Sequence, residues 1–66
     1  MQNSIRIERA RKRMTQQELA DILSVSRQTI MAIESGRFNP SVKLALKMAA
    51  LFECDVKDLF SLEDGD

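Results

Sequence analysis

Residues 15–36 contain two short helical patterns, separated by the two-residue connection Ser24-Val25. Each pattern opens on a hydroxyl residue, Thr15 or Ser26, of the kind that caps helix N-termini. In each, polar side chains fill the first turn and apolar side chains recur behind them at helical spacing. Because two helices joined by so short a turn must cross closely, this stretch predicts a helix-turn-helix.

The length of 66 residues predicts a single domain, residues 1–66, and limits how that domain is stabilised. A chain of this size buries only about 60% of its unfolded surface. With one cysteine and no histidine, neither an intrachain disulfide nor a structural zinc site is expected. We therefore predict no metal site, and stability from a packed helical core, from dimerisation, or from both.

The charge distribution is more informative than the net charge, which is zero. Residues 1–43 contain eight Lys or Arg and four Asp or Glu, a net charge of +4. Residues 44–66 contain two and six, a net charge of −4. Such a basic half suits a negatively charged partner, although chance clustering of charges on solvated helices gives the same count.

Membrane and export signals are missing from the sequence. No apolar run approaches the roughly 18 residues that a membrane helix needs, and the N-terminal residues have no signal-peptide apolar region. We therefore expect a cytoplasmic protein without a membrane partner.

Helical spacing predicts five helices, and no segment gives a strong strand signal. We expect Asn3 or Ser4 to cap the first helix, which runs to about Lys12. The apolar residues at helical spacing along this segment are Ile7, Ala10 and Met14. Thr15 and Glu18 fit a capping box at the start of the second helix.

The third helix is predicted at about residues 26–35. Gly36 follows it, and glycine readily adopts the left-handed conformation of the residue that ends a helix. A fourth helix follows the Ser41 cap, and a fifth, short helix follows the Asp55 cap. Residues 61–66 form a short acidic tail. The apolar residues of the last two helices are Leu44, Met48, Leu51, Phe52, Val56, Leu59 and Phe60.

The first turn of the third helix carries side chains that can read base edges. Arg pairs with guanine and Gln with adenine in the major groove, and Arg27 and Gln28 are these residue types. Thr29 offers a hydroxyl or a methyl group to the same surface. Gln16 and Gln17 begin the preceding helix, where free amides and the helix dipole attract a phosphate. Taken alone, Gln and Thr in a first turn are ordinary solvated residues in most helices.

Taken together, the motifs resemble the Cro and phage-repressor (Xre-type) helix-turn-helix regulators, over residues 3–60. The resemblance implies an all-α, five-helix, lambda-repressor-like domain, in which helices two and three form the helix-turn-helix. It is closest to the short stand-alone members of the family. The matching stretches are Met14-Thr-Gln-Gln-Glu-Leu-Ala20, Val25-Ser-Arg-Gln-Thr-Ile30, Ile33-Glu-Ser-Gly-Arg37, Asn39-Pro-Ser41, Leu44-Ala-Leu-Lys-Met-Ala49 and Asp58-Leu-Phe60.

The resemblance also implies roles for individual residues. Arg9 and Glu34 match a structural salt bridge between helices one and three. The family often has glycine at the positions of Arg13, Ser24 and Glu53, and this chain does not. The predicted base-reading residues are Arg27, Gln28, Thr29 and Gln17. The predicted DNA-backbone contacts are Gln16, Arg37, Asn39, Ser41, Lys43 and Arg13.

The expected function is sequence-specific binding of double-stranded DNA, with repression from a pseudo-palindromic operator as the family default. Such an operator requires a homodimer, for which we expect Phe60 and Leu62 to supply the interface. An antitoxin or protein-interaction module on the same fold is the alternative. An enzyme is not expected, because one cysteine without a histidine and no Gly-rich phosphate loop leave no catalytic set. We expect no cofactor or small-molecule ligand, and Cys54 to pack as a small hydrophobe.

Overall fold

A computed structural model describes all 66 residues of the chain as five helices and one small sheet. The sheet consists of two antiparallel two-residue strands in which Gln2 faces Ser61 and Asn3 faces Phe60. The helices surround one apolar core. In chain order the elements are β1 (Gln2–Asn3), α1 (Ile5–Arg11), α2 (Gln16–Leu23), α3 (Arg27–Glu34), α4 (Val42–Leu51), α5 (Val56–Leu59) and β2 (Phe60–Ser61).

Helices α2 and α3 form the predicted helix-turn-helix. The capping box of α2 is complete, because the Thr15 hydroxyl accepts from the Glu18 amide and the Glu18 carboxylate accepts from the Thr15 amide. Ser26 caps α3 by accepting from the Thr29 amide. Side-chain caps therefore fix the residues at which both helices begin. The start of each helix in turn sets the direction in which its polar first turn faces.

Four helices end in the same way, with a left-handed residue and two backbone hydrogen bonds that run from the residues after the helix back to its last turn. After α3, the Gly36 amide donates to Ile33 and the Arg37 amide donates to Ala32, which is the Schellman pattern. The same pattern follows α1, α2 and α4. There the left-handed residues are not glycines but Arg13 (φ 52°), Ser24 (φ 58°) and Glu53 (φ 55°). These are the three positions at which the sequence departs from the family's glycines.

The core takes at least one residue from every helix, and its apolar side chains are closely packed. Leu19, Leu23, Ile30 and Ile33 hold the helix-turn-helix together, and Ala20 leaves room for the crossing of its helices. Val25 packs against this core from within the turn. The remaining core residues are Ile5, Ala45, Met48, Phe52, Leu59 and Phe60.

Three local expectations are corrected by the structure. A small sheet exists where no strand was predicted, and it takes Phe60 out of α5 and Ser61 out of the tail. The first helix buries Ile5, whereas Ile7 is 58% exposed and Ala10 is exposed too. At the start of α1 it is Asn3, not Ser4, whose side chain accepts from a helix amide, that of Ile5 at 3.3 Å, and Asp55 makes no side-chain cap. The strand pairing joins the two ends of the chain directly before α1, and a two-residue strand is too short to show in sequence periodicity.

None of the five helices combines the length and the apolar character that crossing a membrane requires.

Candidate nucleic-acid interface

The first turn of α3 presents its polar side chains to solvent. Arg27 and Gln28 are both exposed, and neither side chain is bonded to another residue. Thr29 is half-buried, and its hydroxyl lies 2.9 Å from the Ser26 hydroxyl. Ile30 then begins the buried face of the helix. Two free hydrogen-bonding side chains therefore stand at the start of α3, with Thr29 behind them and tied to the cap.

An open basic cleft lies beside this turn, between α1 and the start of α2. Three arginines and three residues around the α2 N-terminus line it: Arg6, Arg9, Arg27, Thr15, Gln16 and Gln17. Gln17 is exposed, and its amide donates to the Asp21 carboxylate at 2.9 Å. The lining contains no carboxylate, so the cleft combines positive charge with the amides of a helix N-terminus, which suits a phosphate group.

The Glu34 carboxylate lies beneath this cleft and connects three elements. Its side chain is 1% exposed and accepts from Arg9 Nε at 2.8 Å, from Arg9 Nη2 at 3.3 Å and from Gln16 Nε2 at 3.0 Å. The remaining nitrogen of the Arg9 guanidinium, Nη1, donates to the Met14 carbonyl at 3.0 Å. The Arg9–Glu34 salt bridge expected from sequence is thus present, and it also holds the amide of Gln16.

The pKa of Glu34 is lowered despite its burial. Desolvation alone raises the pKa of this carboxyl, because burial disfavours the charged form. Hydrogen bonds from Arg9 and Gln16, together with the charges of Arg9 and Arg6, favour that form and outweigh the desolvation. Glu34 is therefore a carboxylate at neutral pH, and it holds Arg9 through charge as well as geometry.

A second basic cleft is found between the turn of the helix-turn-helix and the start of α4. Two lysines, Lys43 and Lys47, line it together with Leu23, Ser24, Val25, Ser41 and Leu44. Both lysines are exposed, and the Ser41 hydroxyl caps α4 by accepting from the Leu44 amide. The N-terminus of α4 thus points into a cationic surface that adjoins the helix-turn-helix.

The other predicted DNA-backbone residues lie outside these two clefts. Arg13 is exposed after α1, and Asn39 is exposed in the loop before α4. Arg37 is also exposed, and its Nε donates to the Ser35 hydroxyl at 3.1 Å. Conversely, Arg6 and Lys47 line the clefts but were missed from the sequence. Their spacing was the available signal, since Arg6 lies three residues before Arg9 and Lys47 four after Lys43, each on a shared helix face.

The expected dimer residues differ in exposure. Leu62 is 78% exposed, whereas Phe60 is 7% exposed and belongs to the core. The prediction of Phe60 as an interface residue is therefore wrong for the folded protomer, because its ring is already buried against its own chain. Cys54 packs partly against the core, as expected, and burial with nearby carboxylates raises the pKa of its thiol.

A helix-turn-helix family model matches residues 5–59, nearly the whole chain. The chain belongs to the Cro/C1-type helix-turn-helix family. It is 47% identical to an uncharacterized HTH-type transcriptional regulator of Methanocaldococcus jannaschii, over 66 residues and the full length of both chains. It is 45% identical to one of Archaeoglobus fulgidus, over all of this chain and 94% of that one. It is 41% identical to the regulator YgzD of Bacillus subtilis, over 97% of each chain.

Membership confirms the resemblance and the lambda-repressor-like fold predicted from the sequence. This is a family of DNA-binding transcriptional regulators, not of enzymes. In helix-turn-helix proteins the second helix of the pair is the one that enters the major groove, so α3 is the candidate recognition helix. The exposed residues at its start, Arg27 and Gln28, and the two basic clefts beside it define the candidate DNA interface.

Proposed function

We propose that the protein is a sequence-specific repressor that binds a pseudo-palindromic operator in double-stranded DNA as a homodimer. The observation that carries this proposal is the placement of Arg27 and Gln28. Both are free at the exposed start of α3 while the rest of the helix is fixed by the core. Rigid presentation of unpaired donors and acceptors is what base recognition in the major groove requires.

The two kinds of contact have different tasks in this proposal. Arg27 donates to guanine O6 and N7, and the Gln28 amide pairs with adenine N6 and N7. The basic clefts hold phosphates on the flanking backbone, and thereby set the depth and register of α3 in the groove. Gln17 reads a neighbouring base after releasing Asp21. Thr29 contributes its methyl group, because its hydroxyl is engaged by Ser26.

A homodimer follows from the length of α3, since one helix of 8 residues covers only half of an operator. Two copies reach successive major grooves on one DNA face when their recognition helices lie about 34 Å apart. Leu62 is an exposed apolar side chain outside the basic surface, and we place it in the contact between copies. Repression needs only that the bound dimer occupies promoter DNA.

Selection of bound sequences from a pool of random DNA duplexes tests this proposal. We expect enrichment of one site with two-fold symmetry and half-sites about one helical turn apart, between 10 and 10.5 base pairs. Enrichment of a single half-site contradicts the homodimer. Recovery of unenriched DNA contradicts sequence-specific binding and favours a protein-interaction role for the same fold.

A further inference from the structure

We infer that Arg6 on helix α1 is a DNA-phosphate-binding residue, oriented from beneath by the buried Glu34 carboxylate. The inference rests on the proposed DNA-binding function and extends it to a helix outside the helix-turn-helix. The three-residue spacing of Arg6 and Arg9 is the only signal for Arg6 in the sequence, and the family resemblance places the DNA contacts in residues 13–43. The structure brings it to the same cleft as Gln16, Gln17 and Arg27.

The hydrogen-bonding groups of Arg6 are free, in contrast to those of Arg9. Arg9 is 16% exposed, and its Nε and both terminal nitrogens donate to Glu34 or Met14. Arg6 is 73% exposed, and its Nε lies 3.7 Å from Glu34 Oε1, which is beyond hydrogen-bonding distance. A guanidinium has five N–H groups in a planar fork that matches the oxygens of a phosphate. Arg6 therefore has its full set of donors available to a ligand.

The charge of Arg6 is also in excess at this site. Arg9 already matches the single charge of Glu34 through two hydrogen bonds. Arg6 and Arg27 add two positive charges to a cleft whose lining contains no carboxylate. An anion that enters the cleft meets this excess together with the N-terminus of α2. A phosphodiester on the DNA backbone has the required charge and the required acceptors.

Glu34 supplies the orientation. Its carboxylate is 1% exposed and fixed by Arg9 and Gln16, so it is a rigid point of negative charge below the cleft. An ion pair of 3.7 Å to this point draws the Arg6 side chain over the cleft without using its donors. The last residue of the recognition helix thereby holds a phosphate contact in place relative to the base-reading residues of the same helix.

Arg11 provides a matched control on the same helix. It is 71% exposed and pairs with one glutamate, Glu8, at 2.9 Å. Arg6→Ala and Arg11→Ala thus remove the same charge, from equally exposed positions and from one ion pair each. They differ in placement, because Arg11 does not line the cleft. Any general effect of net charge on DNA binding is common to both variants.

The experiment measures binding of both variants to a random-sequence duplex and to a selected operator, across a series of salt concentrations. At about 0.1 M salt we expect Arg6→Ala to weaken binding to both duplexes by about five- to tenfold and to lower the salt slope by about 0.9. Arg11→Ala is expected to change both by less than about twofold. Arg6→Lys keeps the charge and is expected to retain the slope.

Equal losses in the Arg6→Ala and Arg11→Ala variants, or an unchanged salt slope in Arg6→Ala, overturn the inference while leaving DNA binding intact. The proposed function fails separately, if the wild-type protein binds neither duplex. Thermal melting of each variant serves as the folding check, and we expect melting temperatures close to wild type because both side chains are exposed.

Discussion

Arg9 and Glu34, 25 positions apart in sequence, form a two-point contact with N–O distances of 2.8 and 3.3 Å. The contact ties the first helix to the end of α3, and Glu34 extends it to Gln16 at the start of α2. A single carboxylate thus fixes the relative positions of three helices at the floor of the candidate DNA interface.

Removing one partner of this pair is expected to be costly. In Arg9→Met the Glu34 carboxylate stays buried without its main donor, and loss of one side of a buried ion pair costs about 3–5 kcal/mol. Because Arg9 retains 16% exposure, we expect the lower end of that range. The free energy of unfolding, from denaturant titration, measures the effect.

Arg11→Met is the control for that measurement. It makes the same substitution on the same helix, but breaks an ion pair whose arginine is 71% exposed. Such surface pairs contribute about 0–1 kcal/mol. Similar losses of stability in the two variants contradict a structural role for Arg9.

The stability of the fold is expected to depend on pH through Glu34. Its pKa is lowered in the folded state, since the donors Arg9 and Gln16 outweigh desolvation. The resulting stabilisation is complete above the pKa of an unfolded glutamate, about 4.3, and is lost as pH falls through the lower folded-state value. Denaturant titrations between neutral pH and about pH 3 follow this loss.

Glu34→Gln isolates this contribution from the other carboxylates. We expect the variant to be less stable than wild type at neutral pH, because Arg9 loses its charged partner. It has no proton to gain at position 34, so the difference in stability between the two proteins should narrow as the solution is acidified. A difference that stays constant across the range shows that the pKa of Glu34 is not lowered by folding.

Ser24→Gly is expected to stabilise the protein. Ser24 has φ 58°, and a non-glycine residue in this left-handed conformation costs roughly 1 kcal/mol relative to glycine. Its side chain is exposed. Thermal melting should therefore show a rise in melting temperature of about 4–8 °C, as expected for a domain of this size.

Ser35→Gly is the control, because the same substitution at this position is expected to change the melting temperature in the opposite direction. Ser35, one residue before Gly36, has φ −81°, a conformation that any residue adopts without strain. Glycine at this position relieves no strain and only increases the freedom of the unfolded chain. Its hydroxyl also donates to the Ala32 carbonyl. We expect a lower melting temperature for this variant. A rise in both variants, or a fall for Ser24→Gly, contradicts strain at position 24.

Substitutions of Leu62 and Phe60 are expected to have different effects. Phe60→Ala opens a cavity in the core and should lower the free energy of unfolding by about 3–5 kcal/mol. Leu62→Asp leaves the core intact and, if Leu62 joins two copies, should shift the mass in light scattering from dimer to monomer. A wild-type protein that is monomeric at micromolar concentration contradicts the proposed dimer.

The helix-turn-helix was predictable from sequence because its signals are local. Thr15, Ser26 and Ser41 are caps within one turn of the amides that they bind, and Leu19 and Leu23 repeat within a single helix. Ser24 was also a candidate for the left-handed conformation, since the family often has glycine there. The recognition of these elements required no knowledge of how distant segments pack.

Long-range contacts could not be derived from local patterns. The β1–β2 pair joins residues at opposite ends of the chain, and it buries Phe60, which looks like a free apolar side chain in sequence. Ile7 fits a helical stripe, yet the orientation of α1 exposes it and buries Ile5 instead. The spacing of Arg6 to Arg9 marks a shared helix face, but only the folded chain shows that this face lies beside the starts of α2 and α3.

The central claim, that the start of α3 carries the sequence information, is tested most directly by Gln28→Ala. Gln28 is exposed and its side chain bonds to no other residue, so we expect the fold to be unchanged by its truncation. Binding of the variant is compared between the selected operator and a random-sequence duplex at one salt concentration. We predict a loss of about 1–3 kcal/mol on the operator and almost none on random DNA. Equal losses on both duplexes contradict base reading by Gln28.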